Sequence, residues 1–150
     1  MRLLASTDFA LRILMRLSAE PDGQHLSVEA LARELGGLSR NHLHKVVQEL
    51  AALGVVRTVR GARGGVALAR PASEIRLGEL LRSLETDQSL VECFRSDGGA
   101  CVLTPCCRLK GFLGGAWSAF LRELDRHTLA DCLVREGGVP VLPLVHAADA

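Results

Sequence analysis

The chain has 150 residues, of which 48% are hydrophobic, so it can form a packed core and global disorder is not expected. Aromatic residues make up only 3% and Tyr is absent, which argues against a single-stranded nucleic-acid binder built on aromatic stacking. The net charge is +1, but residues 1–70 carry ten Lys/Arg against six Asp/Glu, and residues 71–150 carry eight against eleven. The basic excess lies within residues 39–70, which is typical either of a nucleic-acid contact face or of an ordinary solvated surface.

The sequence shows neither a secretion signal nor a membrane-spanning segment. Its apolar stretch near Leu11 is interrupted by Arg12 and Arg16, and no span is long enough to cross a bilayer. We therefore expect a cytoplasmic protein without a membrane partner. In that compartment the five cysteines are expected to be metal ligands or redox sensors and not structural disulfides.

Three helices are predicted in the first part of the chain. The first is capped by Ser6 or Thr7 and carries Asp8 in its first turn. The second covers residues 27–35 and the third residues 39–53, and glycines follow both of them. The apolar face of the third helix is expected to consist of Leu43, Val46, Val47, Leu50 and Leu53.

A change to β-branched residues predicts two short strands, at residues 55–59 and 66–69, joined by a turn rich in Gly and Arg. Pro71 ends this hairpin. Three helices followed by a hairpin form the winged helix-turn-helix pattern. We therefore predict a mainly α fold whose DNA-binding domain covers residues 1–71.

The second part of the chain, residues 72–133, is predicted to hold a fourth helix at 77–84, a cysteine-rich loop and a long amphipathic helix. The apolar stripe of the long helix consists of Leu109, Phe112, Leu113, Ala116, Phe120 and Leu124. A helix that protrudes from a small head commonly mediates dimerisation, although it could instead fold back on its own head. Cys132 is expected at its end as a small buried hydrophobe, and residues 134–150 as a flexible tail.

The recognition helix of a helix-turn-helix motif enters the major groove with the polar residues at its N-terminus. In the third predicted helix these are Ser39, Arg40, Asn41, His42, His44 and Lys45. Arg can bridge guanine and Asn adenine, whereas Ser or Lys can reach phosphate. Arg60 and Arg63 of the hairpin turn are predicted to contact the DNA backbone or the minor groove. The alternative is a winged-helix fold that contacts proteins.

In the cysteine loop, seven residues separate Cys93 from Cys101, and five residues separate Cys101 from Cys107. Thiolates are ligands of iron–sulfur clusters and of zinc, but structural zinc sites favour C-x-x-C pairs, which this sequence lacks. The adjacent Cys106 and Cys107 would not easily share one tetrahedral site. A thiol switch that forms a disulfide is the third interpretation. Spacing alone leaves cluster, zinc site and thiol switch open.

Eight short segments carry a family signature. They are TDFALR at 7–12, LSRNHL at 38–43, VRG at 59–61, GG at 64–65, LVECF at 90–94, CVLTP at 101–105, CRLK at 107–110 and TLAD at 128–131. Through these segments the chain resembles the Rrf-type (NsrR/IscR) superfamily of winged-helix regulators over nearly its whole length. The resemblance is closest to the nitric-oxide-sensing branch of that superfamily.

The resemblance implies a set of cofactor ligands. Three loop cysteines of the family hold an iron–sulfur cluster, and on this sequence they are Cys93, Cys101 and Cys107. An aspartate of the first helix, here Asp8, is the fourth ligand of the [4Fe-4S] sensor and comes from the other subunit. The related IscR branch uses a histidine where this chain has Lys110, which favours the nitric-oxide-sensing branch. A [4Fe-4S] cluster is therefore expected, with [2Fe-2S] as the alternative.

The resemblance also implies a function. The expected protein is a homodimeric repressor of double-stranded operator DNA that is released when nitric oxide attacks the cluster. The alternative within the same fold is a regulator that senses iron–sulfur status or redox state. An enzyme is not expected, because the sequence contains no convergent motif of nucleophile and base.

Overall fold

The computed structural model describes residues 3–21, 23–36, 39–61, 64–86, 89–136 and 139–141. It confirms the predicted order of three helices, a hairpin and two further helices. The helices are α1 (Ala5–Ser18), α2 (Val28–Leu35), α3 (Arg40–Ala52), α4 (Leu77–Leu84) and α5 (Arg108–Leu124). The strands are β1 (Val56–Val59), β2 (Gly65–Leu68), β3 (Val134–Glu136) and β4 (Val139–Val141). The fold is mainly α, with a winged-helix head and a long helix after it, as predicted.

The hydrophobic core lies where α1, α2 and α3 meet the first hairpin. Aliphatic side chains spaced three or four residues apart along the helices fill it. The largest buried ones include Ile13, Leu14, Leu31, Leu43, Val46, Leu50, Val66, Ile75 and Leu129. Ile75 and Leu129 belong to the second part of the chain and are joined by a backbone hydrogen bond of 2.8 Å. The core of the head is therefore completed by residues that follow it in the sequence.

The start of α1 differs from the prediction that Ser6 or Thr7 caps this helix. The cap position is Leu4, and Thr7 lies inside the first turn with its side chain buried. The Leu4 N–H donates a hydrogen bond to Oε1 of Glu85 at 3.0 Å. Because Glu85 directly follows α4, far away in the sequence, no local pattern around α1 could predict this contact.

Side-chain caps start α2 and α3 at the residues where the sequence predicts these helices to begin. Ser27 Oγ and Ser39 Oγ each accept a hydrogen bond from the backbone N–H three residues later, at 3.1 and 3.3 Å. The prediction that Leu53 faces the core is wrong, because α3 ends at Ala52 and the Leu53 side chain is 37% exposed. Gly54, with a φ of +67°, then turns the chain towards β1.

The first hairpin gains a third segment from the linker before α2. β1 and β2 pair antiparallel with Val56 opposite Leu68. On the other edge of β2, Leu26 and Val66 exchange two backbone hydrogen bonds of 2.9 and 2.8 Å. A Cβ atom on Gly65 would overlap the backbone oxygen of Leu26, so glycine is required for this approach. The wing is thereby fixed to the helical head.

Helices α4 and α5 are in close contact and joined by hydrogen bonds at the C-terminal end of α5. A Cβ atom on Gly78 would overlap Asp125 Oδ1 and the backbone oxygen of Leu121, so the helices approach each other closely at this glycine. Arg82 donates two hydrogen bonds to the Asp125 carboxylate, at 2.8 and 2.6 Å. These bonds hold the pKa of Asp125 below its ordinary value. The C-terminal end of α5 is therefore fixed relative to α4.

The segment after α5 corrects the position predicted for Cys132. The long helix ends at Leu124, and Cys132 lies beyond it in the 3₁₀ turn Leu129–Cys132. This turn begins with a capping box between Thr128 and Asp131, which requires an extended backbone at Thr128 and so separates the turn from α5. Cys132 is half-buried, and this burial raises the pKa of its thiol.

The segment expected to be a flexible tail begins with regular structure. β3 and β4 pair antiparallel, with Val134 opposite Val141. The local hairpin signal is a pair of short valine-containing stretches on either side of Gly137 and Gly138. Residues 142–150 lie outside the described residues. Among the described helices, none has the length and apolarity needed to cross a membrane.

Candidate functional site

The first turns of α3 present the polar side chains that were predicted to read DNA. The exposed residues are Ser39, Arg40, Asn41, His42, His44 and Lys45. The residues of the same helix that are buried in the head are Leu43, Val46, Val47 and Leu50. One face of α3 therefore points to solvent and is rich in hydrogen-bond donors, which is what entry into a major groove requires.

Besides Ser39, whose hydroxyl caps α3, two of these side chains make contacts within the chain. Arg40 lies 3.9 Å from Glu29 of α2, in an ion pair whose side chains are both more than half exposed, so little free energy is needed to release Arg40. The ring of His42 packs edge-on against Phe9 of α1, with 5.5 Å between the ring centroids. His42 therefore connects the recognition helix to α1.

The turn of the first hairpin carries the second group of predicted DNA contacts. Arg60 directly follows β1 and is exposed, whereas Arg63 lies outside the described residues. The Gly64 N–H donates to the backbone oxygen of Gly61 at 2.9 Å. A Cβ atom on Gly64 would overlap the backbone oxygens of Val59 and Gly61, so this tight turn needs glycine. Among the described residues of the turn, Arg60 is exposed and the glycines at 61 and 64 carry no side chain, which suits a close approach to DNA.

The cysteine loop brings the segments around Cys93 and Cys101 together. Cys93 is buried in the 3₁₀ turn that begins at Glu92. The Glu92 carboxylate accepts a hydrogen bond from the Ala100 N–H at 3.3 Å. Gly99, with a φ of +60°, packs so closely on Glu92 that a Cβ atom would overlap the backbone oxygen of Glu92. The residues that precede the two cysteines are therefore in contact.

Two tight turns connect Cys101 to Cys107. The Thr104 N–H donates to the Cys101 backbone oxygen at 3.1 Å, and the Cys106 N–H donates to that of Leu103 at 3.2 Å. Cys101 and Cys107 are half-buried, whereas Cys106 is exposed. Cys107 directly precedes α5, so the loop leads straight into the long helix. The residues Val102, Leu103, Cys106 and Cys107 line a cleft of about 290 Å³.

The hydroxyl oxygen of Thr104 is buried and has no hydrogen-bond partner in the part of the chain that the structure describes. A second hydroxyl of this kind belongs to Thr7, which precedes Asp8 in α1. Buried polar groups in proteins nearly always have a partner. An acceptor supplied by a bound group would fit the Thr104 hydroxyl, since this residue lies between Cys101 and Cys107.

A single chain does not bring all of the predicted ligands into one site. Within the described ranges, no group of three or more His, Cys, Asp or Glu side chains could hold a metal ion. All five cysteines are free thiols, and Asp8 forms a half-exposed ion pair with Arg12 at 2.8 Å. The thiol donors and the unpaired Thr104 hydroxyl fit an iron–sulfur cluster in chemical terms, and the ligand set stays a prediction.

Three residues that shape the site escaped the sequence analysis. The contact of Phe9 with His42 joins two helices that meet only in the folded chain, so no spacing rule could predict it. Glu92 and Thr104 lie inside the cysteine loop, and their contacts depend on how the loop folds. Two adjacent glycines before Cys101 did signal a sharp turn, and that turn is the one that folds onto Glu92.

Comparison with known proteins agrees with this arrangement. Residues 3–135 match the Rrf2 family, described as "Iron-dependent Transcriptional regulator". The HTH-type transcriptional regulator NsrR of Halalkalibacterium halodurans is 40% identical over 142 residues, which cover 95% of this chain and 97% of that protein. The NsrR regulator of Geobacillus kaustophilus is 44% identical over 133 residues, which cover 89% of this chain and 90% of that protein.

The solved structures give the same fold. CymR, the global cysteine regulator of B. subtilis, has a TM-score of 0.69 at 27% identity and matches 87% of this chain and 95% of its own. The relatives are transcriptional regulators, so the expectation that the chain is not an enzyme is confirmed. The superfamily predicted from the eight short segments is confirmed as well. The chain therefore belongs to the Rrf2 family of transcriptional regulators.

Proposed function

We propose that this protein is a homodimeric DNA-binding repressor that senses nitric oxide through an iron–sulfur cluster. The observation that carries the proposal is the compact loop that holds Cys93, Cys101 and Cys107 as free thiols and leads directly into α5. In the same chain, α3 presents an exposed polar face for DNA. A sensor and a DNA reader are thus combined in one short chain, and the sensor adjoins the helix that joins two copies.

DNA recognition is assigned to α3 and the wing. Arg40 and Asn41 lie in the first turn of α3 and would read base edges, because their side chains can form paired hydrogen bonds to guanine and adenine. Ser39, His42 and Lys45 would contact phosphate or neighbouring bases. Arg60, together with Arg63, would reach the backbone or the minor groove beside the wing.

Dimerisation is assigned to the first half of α5 and the adjoining loop. Leu109 and Phe112 of α5 are 59% and 64% exposed, and Val102 and Leu103 of the loop are 90% and 66% exposed. These four exposed apolar side chains all lie within residues 102–112, and a concentration of exposed apolar groups is typical of an interaction surface. A second copy of the chain would cover them, and closed two-fold pairing is the commonest arrangement of such contacts.

Cys93, Cys101 and Cys107 of one subunit and Asp8 of the partner subunit would hold the cluster, which we expect to be [4Fe-4S]. When bound, the cluster supplies iron with which nitric oxide reacts, and a carboxylate is a harder and weaker partner for that iron than a thiolate. Glu92 supports the loop through its bond to the Ala100 N–H.

Asp8 has an alternative partner in its own helix, since its carboxylate lies 2.8 Å from Arg12. Loss of the cluster would return Asp8 to this ion pair. Phe9, the next residue, contacts His42 of the recognition helix, so a shift of α1 would reach the DNA-reading face directly. In this way a change of one ligand would bias a dimer between two arrangements of its DNA-binding heads.

The test is the iron and sulfide content of cysteine variants purified without oxygen. Cys93→Ser, Cys101→Ser and Cys107→Ser should each lose the cluster and its visible absorption. Cys106→Ser and Cys132→Ser are the matched controls and should keep both. Asp8→Ala should keep iron but show a shifted spectrum. Normal cluster content in Cys107→Ser with loss in Cys106→Ser would show that Cys106, and not Cys107, is the ligand. Full cluster content in all five cysteine variants would overturn the proposal.

A further inference from the structure

Thr104 carries a buried hydroxyl that the described chain leaves without a partner. The backbone N–H of the same residue donates to the Cys101 oxygen at 3.1 Å, and the residue begins the 3₁₀ turn Thr104–Cys106. Thr and Ser side chains in turns commonly bond to nearby backbone oxygens. The Thr104 hydroxyl makes no such bond within the described residues, so its donor remains available to something else.

The position of Thr104 identifies the kind of acceptor. It lies three residues after Cys101 and three residues before Cys107, inside the two turns that connect these thiols. Cys101 and Cys107 are both half-buried, so a sulfur held by them would lie in a partly dry environment within the same short loop segment as the hydroxyl. A sulfur that carries negative charge would be a strong acceptor for an O–H group there, because charge-assisted hydrogen bonds are the stronger class.

We propose that the Thr104 hydroxyl donates a hydrogen bond to a sulfur of the iron–sulfur site, either a ligand thiolate or a bridging sulfide. This inference rests on the proposed function. Hydrogen bonds to the sulfurs of such sites raise the reduction potential, since they stabilise the more negative reduced form. They also support the orientation of the ligands, and loss of such supporting contacts weakens metal retention. Thr104 is thus a positioning residue that sets the potential and the durability of the site.

A purely structural role for Thr104 predicts a different pattern of effects. If the hydroxyl only fills space, replacing it by a methyl group of similar shape changes the apo and the loaded protein in the same way. If it donates to the cluster site, the same replacement removes an unpaired polar group from the apo protein but a hydrogen bond from the loaded protein. The change in stability caused by this replacement therefore has opposite signs in the apo protein and in the loaded protein.

The experiment compares wild type, Thr104→Val and Thr104→Ser after anaerobic reconstitution, with Thr58→Val on the exposed face of β1 as a control. We expect apo Thr104→Val to melt at the same temperature as apo wild type or higher. Loaded Thr104→Val should have a lower reduction potential and should lose iron to a chelator roughly tenfold faster than wild type. Thr104→Ser, which keeps the donor, and Thr58→Val should match wild type in potential and iron loss.

The outcomes separate this inference from the proposed function. If wild type takes up iron and sulfide but Thr104→Val equals it in potential and in iron loss, the inference is overturned and the proposed function stands. If Thr104→Ser loses iron as fast as Thr104→Val, the hydroxyl is not the group that acts, and the inference is overturned again. If wild type takes up no iron and sulfide at all, both proposals fail together.

Discussion

The ring of Phe9 on α1 lies edge-on against the ring of His42 on α3, with 5.5 Å between centroids and an angle of 71° between the planes. This is a favourable geometry for aromatic pairs, because the positive edge of one ring meets the negative face of the other. Phe9 follows Asp8, and His42 lies in the first turns of the recognition helix. The proposed cluster ligand on α1 is therefore one residue away from a direct contact with the DNA-reading face.

Replacing Phe9 by Leu keeps an apolar residue in α1 but removes the ring contact with His42. An aromatic pair contributes about 0.5–1.5 kcal/mol beyond its buried area. We expect the loaded protein to bind an operator selected in vitro roughly twofold to tenfold more weakly, with cluster content unchanged. Fluorescence anisotropy with labelled operator measures this. Leu53→Ala, directly after the far end of α3, is the control and should bind normally. An affinity of Phe9→Leu equal to that of wild type would show that the contact between the two rings does not contribute to DNA binding.

Arg40 is expected to read a base and not the phosphate backbone. It lies at the start of α3 and, within the described residues, is restrained by an exposed ion pair with Glu29 at 3.9 Å. Arg40→Ala should reduce the free energy of binding to the selected operator by about 1–3 kcal/mol and leave binding to random duplex DNA nearly unchanged. Titrations of both DNAs at one salt concentration measure the difference, with the exposed Arg33→Ala on α2 as control. Equal losses on both DNAs would make Arg40 a phosphate contact.

Phe112 tests the dimer more cleanly than Phe120 does. Phe112 is 64% exposed, whereas Phe120 stacks on Trp117 of its own helix with 5.3 Å between ring centroids. Phe112→Glu should therefore leave the fold of the single chain intact but place a charge in the proposed dimer interface. Sedimentation equilibrium should show monomers for Phe112→Glu. Arg122→Glu, on an exposed site of the same helix, should stay dimeric, and a dimer of undiminished affinity in Phe112→Glu would place the interface elsewhere.

The pair of Arg82 and Asp125 predicts how stability responds to acid. The hydrogen bonds from Arg82 lower the pKa of Asp125 in the folded chain, so the pair stabilises the fold above the ordinary pKa of aspartate, near 3.9. This contribution should disappear as the pH falls through the lowered pKa. Urea unfolding of wild type and Asp125→Asn should show a difference in the free energy of unfolding near neutral pH that shrinks in acid. A difference that is independent of pH would contradict this assignment.

The winged-helix head could be predicted because its elements carry their own local signals. Ser27 and Ser39 mark the starts of α2 and α3, and the β-branched residues of the first hairpin mark its strands. The start of α1 could not be predicted in the same way, because the Leu4 N–H is bound by Glu85 from a distant segment. Leu53 continues the apolar spacing of α3, but the helix stops before it.

The shape of the cysteine loop could not be predicted from the sequence. The spacing of the cysteines left a cluster, a zinc site and a thiol switch open, and the assignment of Cys93, Cys101 and Cys107 as ligands comes from the family resemblance and stays a prediction. The hydrogen bond from the Ala100 N–H to the Glu92 carboxylate depends on how the chain folds back at Gly99. The unpaired hydroxyl of Thr104 can be recognised only when the surroundings of each polar atom are known.

We propose that nitric oxide releases this protein from DNA by acting at the thiols Cys93, Cys101 and Cys107. The most direct measurement is the anisotropy of labelled operator bound to protein that was purified without oxygen, followed as nitric oxide is added in steps. Wild type and Cys106→Ser should bind the operator and release it within a few equivalents of nitric oxide per protein, whereas Cys107→Ser should show no response to nitric oxide. Release of wild type and Cys107→Ser by the same amounts of nitric oxide, or a wild-type complex that is insensitive to it, would contradict the claim.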